Sequence, residues 1–221
     1  MQYNHVGTTG LRVSSLSIGG WLTYGGSVDV GRSVEILRAA IDAGINFVDM
    51  ADVYVRGEAE RVVDHLLRDY CTAGRQRSDL VLSTKVFWPM SDNTNDRGLS
   101  RKHIFESIDK SLRRMGTDYV DMYFCHRYDA LTPLEETVRA MDDLVRAGKV
   151  LYWGTSCWTA DQLRAAHEIC ARGGYYAPVV EQPQYSLLHR DIETDGVQAA
   201  AQQLGMGLVL WSPLAQGVLS G

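Results

Sequence analysis

From residue 16 onward the sequence repeats one unit: a short apolar run that ends in a polar or glycine residue, then a stripe of apolar residues at helical spacing. The runs fall at 16–20, 45–49, 80–86, 119–125, 150–155, 177–182 and 207–211. The intervening stripes carry Val34, Leu37 and Ile41; Ala59, Val62, Val63, Leu66, Leu67 and Tyr70; Ile104, Ile108, Leu112 and Met115; Leu134, Val138, Met141 and Val145; Leu163, Ala166 and Ile169; then residues 197–204. Short turns from helix to strand predict an α/β domain whose parallel sheet is covered by helices. So many strand–helix steps favour a TIM-type (β/α)8 barrel over an open doubly wound sheet, and no G-x-G-x-x-G follows the first run to support the latter. A full barrel has eight strands in about 250 residues. The repeat stops after the seventh run, so the sequence predicts a single domain over residues 1–221, a barrel truncated after strand seven.

The boundaries carry their own signals. Gly44, Gly116 and Gly148 stand just past helical stripes, and Ser100 stands where an N-cap belongs ahead of Ile104. Thr132-Pro133-Leu134-Glu135 predicts a helix opened by a capping-box pair, with proline at the first helical position. Thr159 predicts the start of the next helix, and Gly7 with Thr8-Thr9-Gly10 predicts a small hairpin within residues 3–13. A net charge of −5 gives no electrostatic footprint for nucleic acid or an anionic membrane. No apolar run approaches the ~18–20 residues of a membrane span, and the N-terminus lacks a secretory pattern. Cys71, Cys125, Cys157 and Cys170 show neither a C-x-x-C pair nor zinc spacing, which predicts reduced thiols in the cytoplasm and no metal site.

In a barrel of this kind functional side chains sit at the C-terminal ends of the strands. Asp49, Lys85, His126, Ser156, Gln182 and Trp211 all end apolar runs, and Tyr54 follows Asp49 on the next loop. Singly, each has a plainer reading: Asp49 as a helix cap, Lys85 as a solvated charge, Tyr54 as a packed aromatic, His126 as an ordinary loop histidine. Together they suit the protonation of a carbonyl oxygen as hydride reaches its carbon. Tyrosine, with a pKa of about 10, is a weak acid at neutral pH. Lys85 is expected to lower that pKa, Asp49 to hold the lysine charged, and His126 to orient the carbonyl by a hydrogen bond.

The stretches 46–54, Ser83-Thr84-Lys85, 97–104, Tyr119-Val120-Asp121, 132–141, 152–156 and Trp211-Ser212-Pro213-Leu214 give the chain a clear resemblance to the aldo-keto reductase family. The likeness is closest to the branch of voltage-gated potassium channel β subunits and their bacterial relatives. The resemblance implies a catalytic tetrad of Asp49, Tyr54, Lys85 and His126. It implies NADPH or NADP across the barrel mouth, with Ser156 and Gln182 on the carboxamide and Trp211 stacked on the nicotinamide. Ser212, Pro213, Leu214 and Gly217 would follow the pyrophosphate, and Gly20 and Trp21 would lie beside cofactor and substrate. Trp88 would form a pocket wall with Trp21, Tyr54 and His126, whereas Trp158 reads as packing. His126 is the reductase choice where animal channel β subunits tend to carry asparagine, and Cys157 replaces a longer hydrogen-bonding side chain. The family's 2′-phosphate clamp follows strand eight, so a chain ending after strand seven is expected to hold NADPH weakly. Three functions follow: a reductase of aldehydes or ketones; a cofactor-binding regulatory protein like the channel β subunits, members of which form homo-tetramers; and, last, a Schiff-base aldolase acting through Lys85.

Overall fold

The computed structural model describes all residues 1–221. The chain opens with an antiparallel hairpin, β1 (Tyr3–His5) and β2 (Arg12–Ser14). Seven parallel strands follow in unbroken sequence order: β3 (Ile18–Gly19), β4 (Phe47–Asp49), β5 (Val81–Val86), β6 (Val120–Cys125), β7 (Val150–Thr155), β8 (Val180–Glu181) and β9 (Gly207–Leu208). Between them run α1 (Val30–Asp42), α2 (Glu58–Thr72), α3 (Arg101–Met115), α4 (Leu134–Arg146), α5 (Ala160–Gly173) and α6 (Val197–Gln203). The sheet curls as a (β/α)8-type barrel with seven strands, and β3 and β9 are its unpaired edges. No helix is long and apolar enough to cross a membrane.

Side chains of alternate strand residues face opposite ways, and here the two faces have separate cores. Leu82 and Val86 of β5 pack outward with Leu66, Ile104 and Ile108 of the surrounding helices. Phe47, Val81, Met122, Phe124 and Val180 pack inward, joined from below by Val6 and Val13 of the hairpin. The inward phase, continued two residues at a time, leads from Phe47 to Asp49, from Val81 through Ser83 to Lys85, and from Phe124 to His126. Register fixes their heights: Asp49 lies opposite Ser83, and Lys85 opposite Phe124. Gly154 on β7 gives Phe124 its room, since a Cβ there would stand 2.4 Å from Val180 Cγ1 and 2.9 Å from Phe124 Cε1.

The hairpin forms the floor and touches both sides of the sheet. Ser14 N–H donates to Asn46 Oδ1 at 2.7 Å and Ser14 Oγ accepts from Asn46 N–H at 3.1 Å, at the entry to β4. At the entry to β9, Thr8 N–H donates to Gly205 O at 2.9 Å. Gly7 allows this approach: its φ is 55°, and a Cβ would lie 2.2 Å from Gly205 O.

Helix signals hold with one correction. Ser100 caps α3, Gly116 ends it at φ 64°, and Thr159 caps α5 in a reciprocal box with Gln162. At α4 the capping box does not form, and Pro133 is the N-cap rather than the first helical residue. The helix starts one residue later than expected, so Thr132 lies just outside the N-cap, and its hydroxyl donates to Asp129 Oδ2 at 2.7 Å. The runs expected at 16–20, 177–182 and 207–211 keep only two residues each in regular strand, although hydrogen bonds between neighbours continue past them: Gln182 N–H donates to Thr155 O at 2.8 Å, Val209 N–H to Glu181 O at 3.0 Å and Trp211 N–H to Pro183 O at 3.1 Å.

Candidate active site

At the mouth of the barrel the inward-facing polar residues meet. Lys85 Nζ, fully buried, donates to Asp49 Oδ2 and to the Met50 carbonyl, both at 2.7 Å. Asp49 accepts three hydrogen bonds in all: Oδ1 takes the Ser83 hydroxyl at 2.5 Å, and Oδ2 also takes Gln182 Nε2 at 3.2 Å. It therefore caps no helix. Two of the ammonium's three protons are committed, and Nζ lies 5.0 Å from the centroid of the Tyr54 ring. Burial penalises the ammonium, but the charges and hydrogen bonds of Asp49 and Tyr54 outweigh that penalty and raise the Lys85 pKa.

Tyr54 is presented by a strained turn. It begins a short 3-10 segment, Tyr54–Gly57, in which Val55 and Arg56 have φ of 48° and 52° before Gly57 leads into α2. The expected lowering of its pKa does not occur. Burial raises it, with Asp49 adding to the rise, and this outweighs the charge and hydrogen bonding of Lys85 that favour phenolate. The sequence shows the cation but not how far the phenol is removed from water. His126 packs edge-on against Tyr54, ring centroids 5.9 Å apart, with Trp88 on another side at 6.3 Å. Burial first, then the charges of Lys85 and Arg127, pull the His126 pKa down to about 2. The imidazole is neutral at any working pH, with one N–H to donate, and Nδ1 has no partner within the chain.

Asp49, Tyr54 and His126 line a cavity of about 740 Å³, and Lys85, fully buried, stands behind that wall. Ser156, Gln182, Trp21, Trp88, Trp211, Ser212 and Pro213 line it too, which brings together most of the residues singled out in the sequence. Gly20, Leu214 and Gly217 do not line it: Gly20 packs on Met50, and Leu214 is exposed. Ser156 Oγ donates to the Gln182 carbonyl at 2.8 Å, and the Trp21 and Trp211 rings meet edge-to-face at 6.3 Å. Trp158 is buried against Tyr128, as packing requires. The cavity continues down the open side, past Ser17 and Gly19 on one edge and Gly207 to Leu210 on the other, to the hairpin. The non-glycine residues with positive φ are Leu22, Val55, Arg56, Cys157, Ser212, Ala215 and Gln216, all in loops that leave strand C-termini. Such strain concentrates at functional sites.

Sequence reading missed Ser83, Arg127 and the Met50 carbonyl. Ser83 was legible in principle, two residues before Lys85 and so on the same face. Arg127 carried only its adjacency to His126. A second buried group behind the site was also missed. Asp52 has a pKa raised to about 7 by burial and by Glu60, against the Ser107 hydroxyl, Arg114 and the Val53 N–H. Its Oδ1 has no partner, as suits a protonated acid. Because the folded pKa lies above the unfolded one, this stabilisation is complete below about pH 4 and is lost as pH rises through 7. A change from 3.8 to about 7 corresponds to roughly 4 kcal/mol, at about 1.4 kcal/mol per unit. Asp52→Asn is therefore expected to melt higher than the parent at pH 8 and to show a shallower fall in Tm between pH 5 and 8. Parallel melting curves with the same slope would rule out a protonated Asp52. Glu181, likewise raised to about 7 by burial, leaves a residual slope in both proteins.

The aldo/keto reductase family model matches residues 15–221. A probable voltage-gated potassium channel subunit beta of Oryza sativa subsp. japonica is 48% identical over 221 residues, covering 100% of this chain and 66% of the relative. The corresponding protein of Arabidopsis thaliana is 46% identical over 222 residues, with the same coverage. A putative voltage-gated potassium channel subunit beta of Schizosaccharomyces pombe (strain 972 / ATCC 24843) is 42% identical over 221 residues, covering 99% of this chain and 63% of the relative. The chain thus spans just under two thirds of the length of the curated relatives it matches.

Proposed function

Since the chain belongs to the aldo/keto reductase family, we propose that it reduces aldehydes or ketones to alcohols, with NADPH as reductant and Tyr54 as proton donor. The observation that carries this reading is the buried Lys85–Asp49 ion pair set against the Tyr54 phenol in the cavity wall.

Tyr54 keeps its proton in the resting site because burial disfavours phenolate. As a carbonyl oxygen gains negative charge it becomes the better base, and the phenol proton moves to it. Charge then develops on the Tyr54 oxygen beside an ammonium already in place, so no solvent need reorganise. Asp49, Ser83 and the Met50 carbonyl hold that ammonium still. Neutral His126 offers a single N–H to the carbonyl oxygen and does not compete as a proton source. The cavity residues fit a nicotinamide: Gln182 commits Nε2 to Asp49, leaving Oε1 to accept from a carboxamide, and Trp211 supplies a flat apolar face. When bound, that cofactor supplies the hydride. A Schiff-base role for Lys85 is disfavoured, because imine formation needs a free amine and this one is a buried ammonium.

The names of the relatives favour a second reading, a cofactor-binding regulatory subunit with little turnover. Mixing the protein with NADPH and simple aldehydes, and following cofactor absorbance beside tryptophan quenching, separates the two. Turnover supports the reductase. Tight binding without turnover of any aldehyde supports the regulatory protein, and absence of binding overturns both.

A further inference from the structure

Charge in the cavity is unevenly satisfied. Asp49 is neutralised by Lys85. Arg127 lines the same cavity and forms no ion pair. Its hydrogen bonds use one nitrogen only: Nη1 donates to the His126 carbonyl and lies 3.4 Å from Ser156 Oγ. The N–H groups on Nε and Nη2 have no acceptor in the chain. The carboxylate that feels its charge, Glu181, is occupied elsewhere, accepting from the Thr155 hydroxyl and from the Trp158 N–H at 3.2 Å. The guanidinium carbon stands 5.7 Å from the Trp88 ring centroid, and Trp88 itself borders His126. A guanidinium with unused donors therefore lines the cavity beside Trp88, which also borders the carbonyl-orienting histidine, and the cavity carries one uncompensated positive charge.

We propose that Arg127 binds a carboxylate on the substrate, so that the site prefers oxo acids, carbonyl compounds bearing an acid group, over neutral carbonyls of the same shape. The inference rests on the reductase reading above. A guanidinium pairs with a carboxylate through two parallel N–H bonds, which fixes orientation as well as charge. His126 and Arg127 line the same cavity, both beside Trp88, so carbonyl and carboxylate would be held at once and the carbonyl carbon kept in one pose. Chemistry at that carbon is unchanged: a C–H bond forms with the hydride, the C=O π bond breaks, Tyr54 protonates the oxygen, and the cofactor is oxidised.

The test compares 4-carboxybenzaldehyde with benzaldehyde, and benzoate with benzamide as unreactive ligands read by tryptophan quenching. The parent protein is expected to favour the charged aldehyde by about tenfold to a hundredfold in kcat/KM, and to bind benzoate over benzamide. Arg127→Met is expected to bring both ratios close to one, and Arg127→Lys to retain part of each. A parent protein with no preference, a preference that survives Arg127→Met, or a loss confined to NADPH affinity would each overturn the proposal. If benzoate binds through Arg127 while no aldehyde is reduced, the anion site stands and the reductase reading falls.

Discussion

Tyr54→Phe is expected to lower kcat for aldehyde reduction by about 10²–10⁴-fold, the range for loss of a positioned general acid, while NADPH affinity by fluorescence titration stays within about twofold of the parent. The substitution removes one oxygen and keeps the ring that packs edge-on against His126. The fold and the wall of the cavity therefore survive, and what disappears is the proton that Lys85 and the developing oxyanion would draw apart. A product yield unchanged by the substitution would mean that the proton comes from elsewhere. A parallel collapse of cofactor binding would make the residue structural.

Lys85→Met has the second large expected effect, and it acts on stability as well as rate. The lysine side chain has no exposure and Asp49 retains only 13%. Removing the cation leaves a carboxylate that has lost its counter-ion in a place water scarcely reaches. Breaking a buried pair from one side costs on the order of 3–5 kcal/mol, and the cost comes from the charge left behind. Asp49→Asn added to Lys85→Met is expected to recover much of that stability in denaturant titrations while restoring no turnover. If the single and double variants were equally stable, the pair would not be acting as a desolvated unit. If the double variant regained activity, the ammonium would have no part in moving the proton.

The barrel was legible because its inner and outer faces obey different residue preferences over long strands. Val81 to Val86 and Val120 to Cys125 carry both phases in full, so the residue ending each inward phase can be read directly. The site residues could be read as the polar ends of apolar runs, and alternation is why they converge: Lys85 continues Val81 and Ser83, and His126 continues Met122 and Phe124. What was not legible depends on three-dimensional burial. The sign of the Tyr54 pKa shift is set by how completely the phenol is enclosed, which no local pattern encodes. The failed capping box at Thr132 is a matter of register: α4 takes Pro133 as its N-cap, and Thr132, one residue outside, donates to Asp129, whose carboxylate also holds the Leu99 N–H at 2.8 Å. Leu214 and Gly217 were placed by family likeness alone and Gly20 by that likeness and its place at the end of the first run, and the cavity lining does not include them.

The floor of the barrel has a kinetic consequence. Thr8 reaches Gly205, a separation of 197 residues, so the hairpin takes its place against a segment made long after it. Contacts this distant in sequence carry the largest loop-closure entropy and form late. On a ribosome the hairpin must wait, at about 5–20 residues per second, for ten seconds or more until its far partner has emerged. During that interval Val6 and Val13 have no completed interior to enter, and a chaperone would find them there.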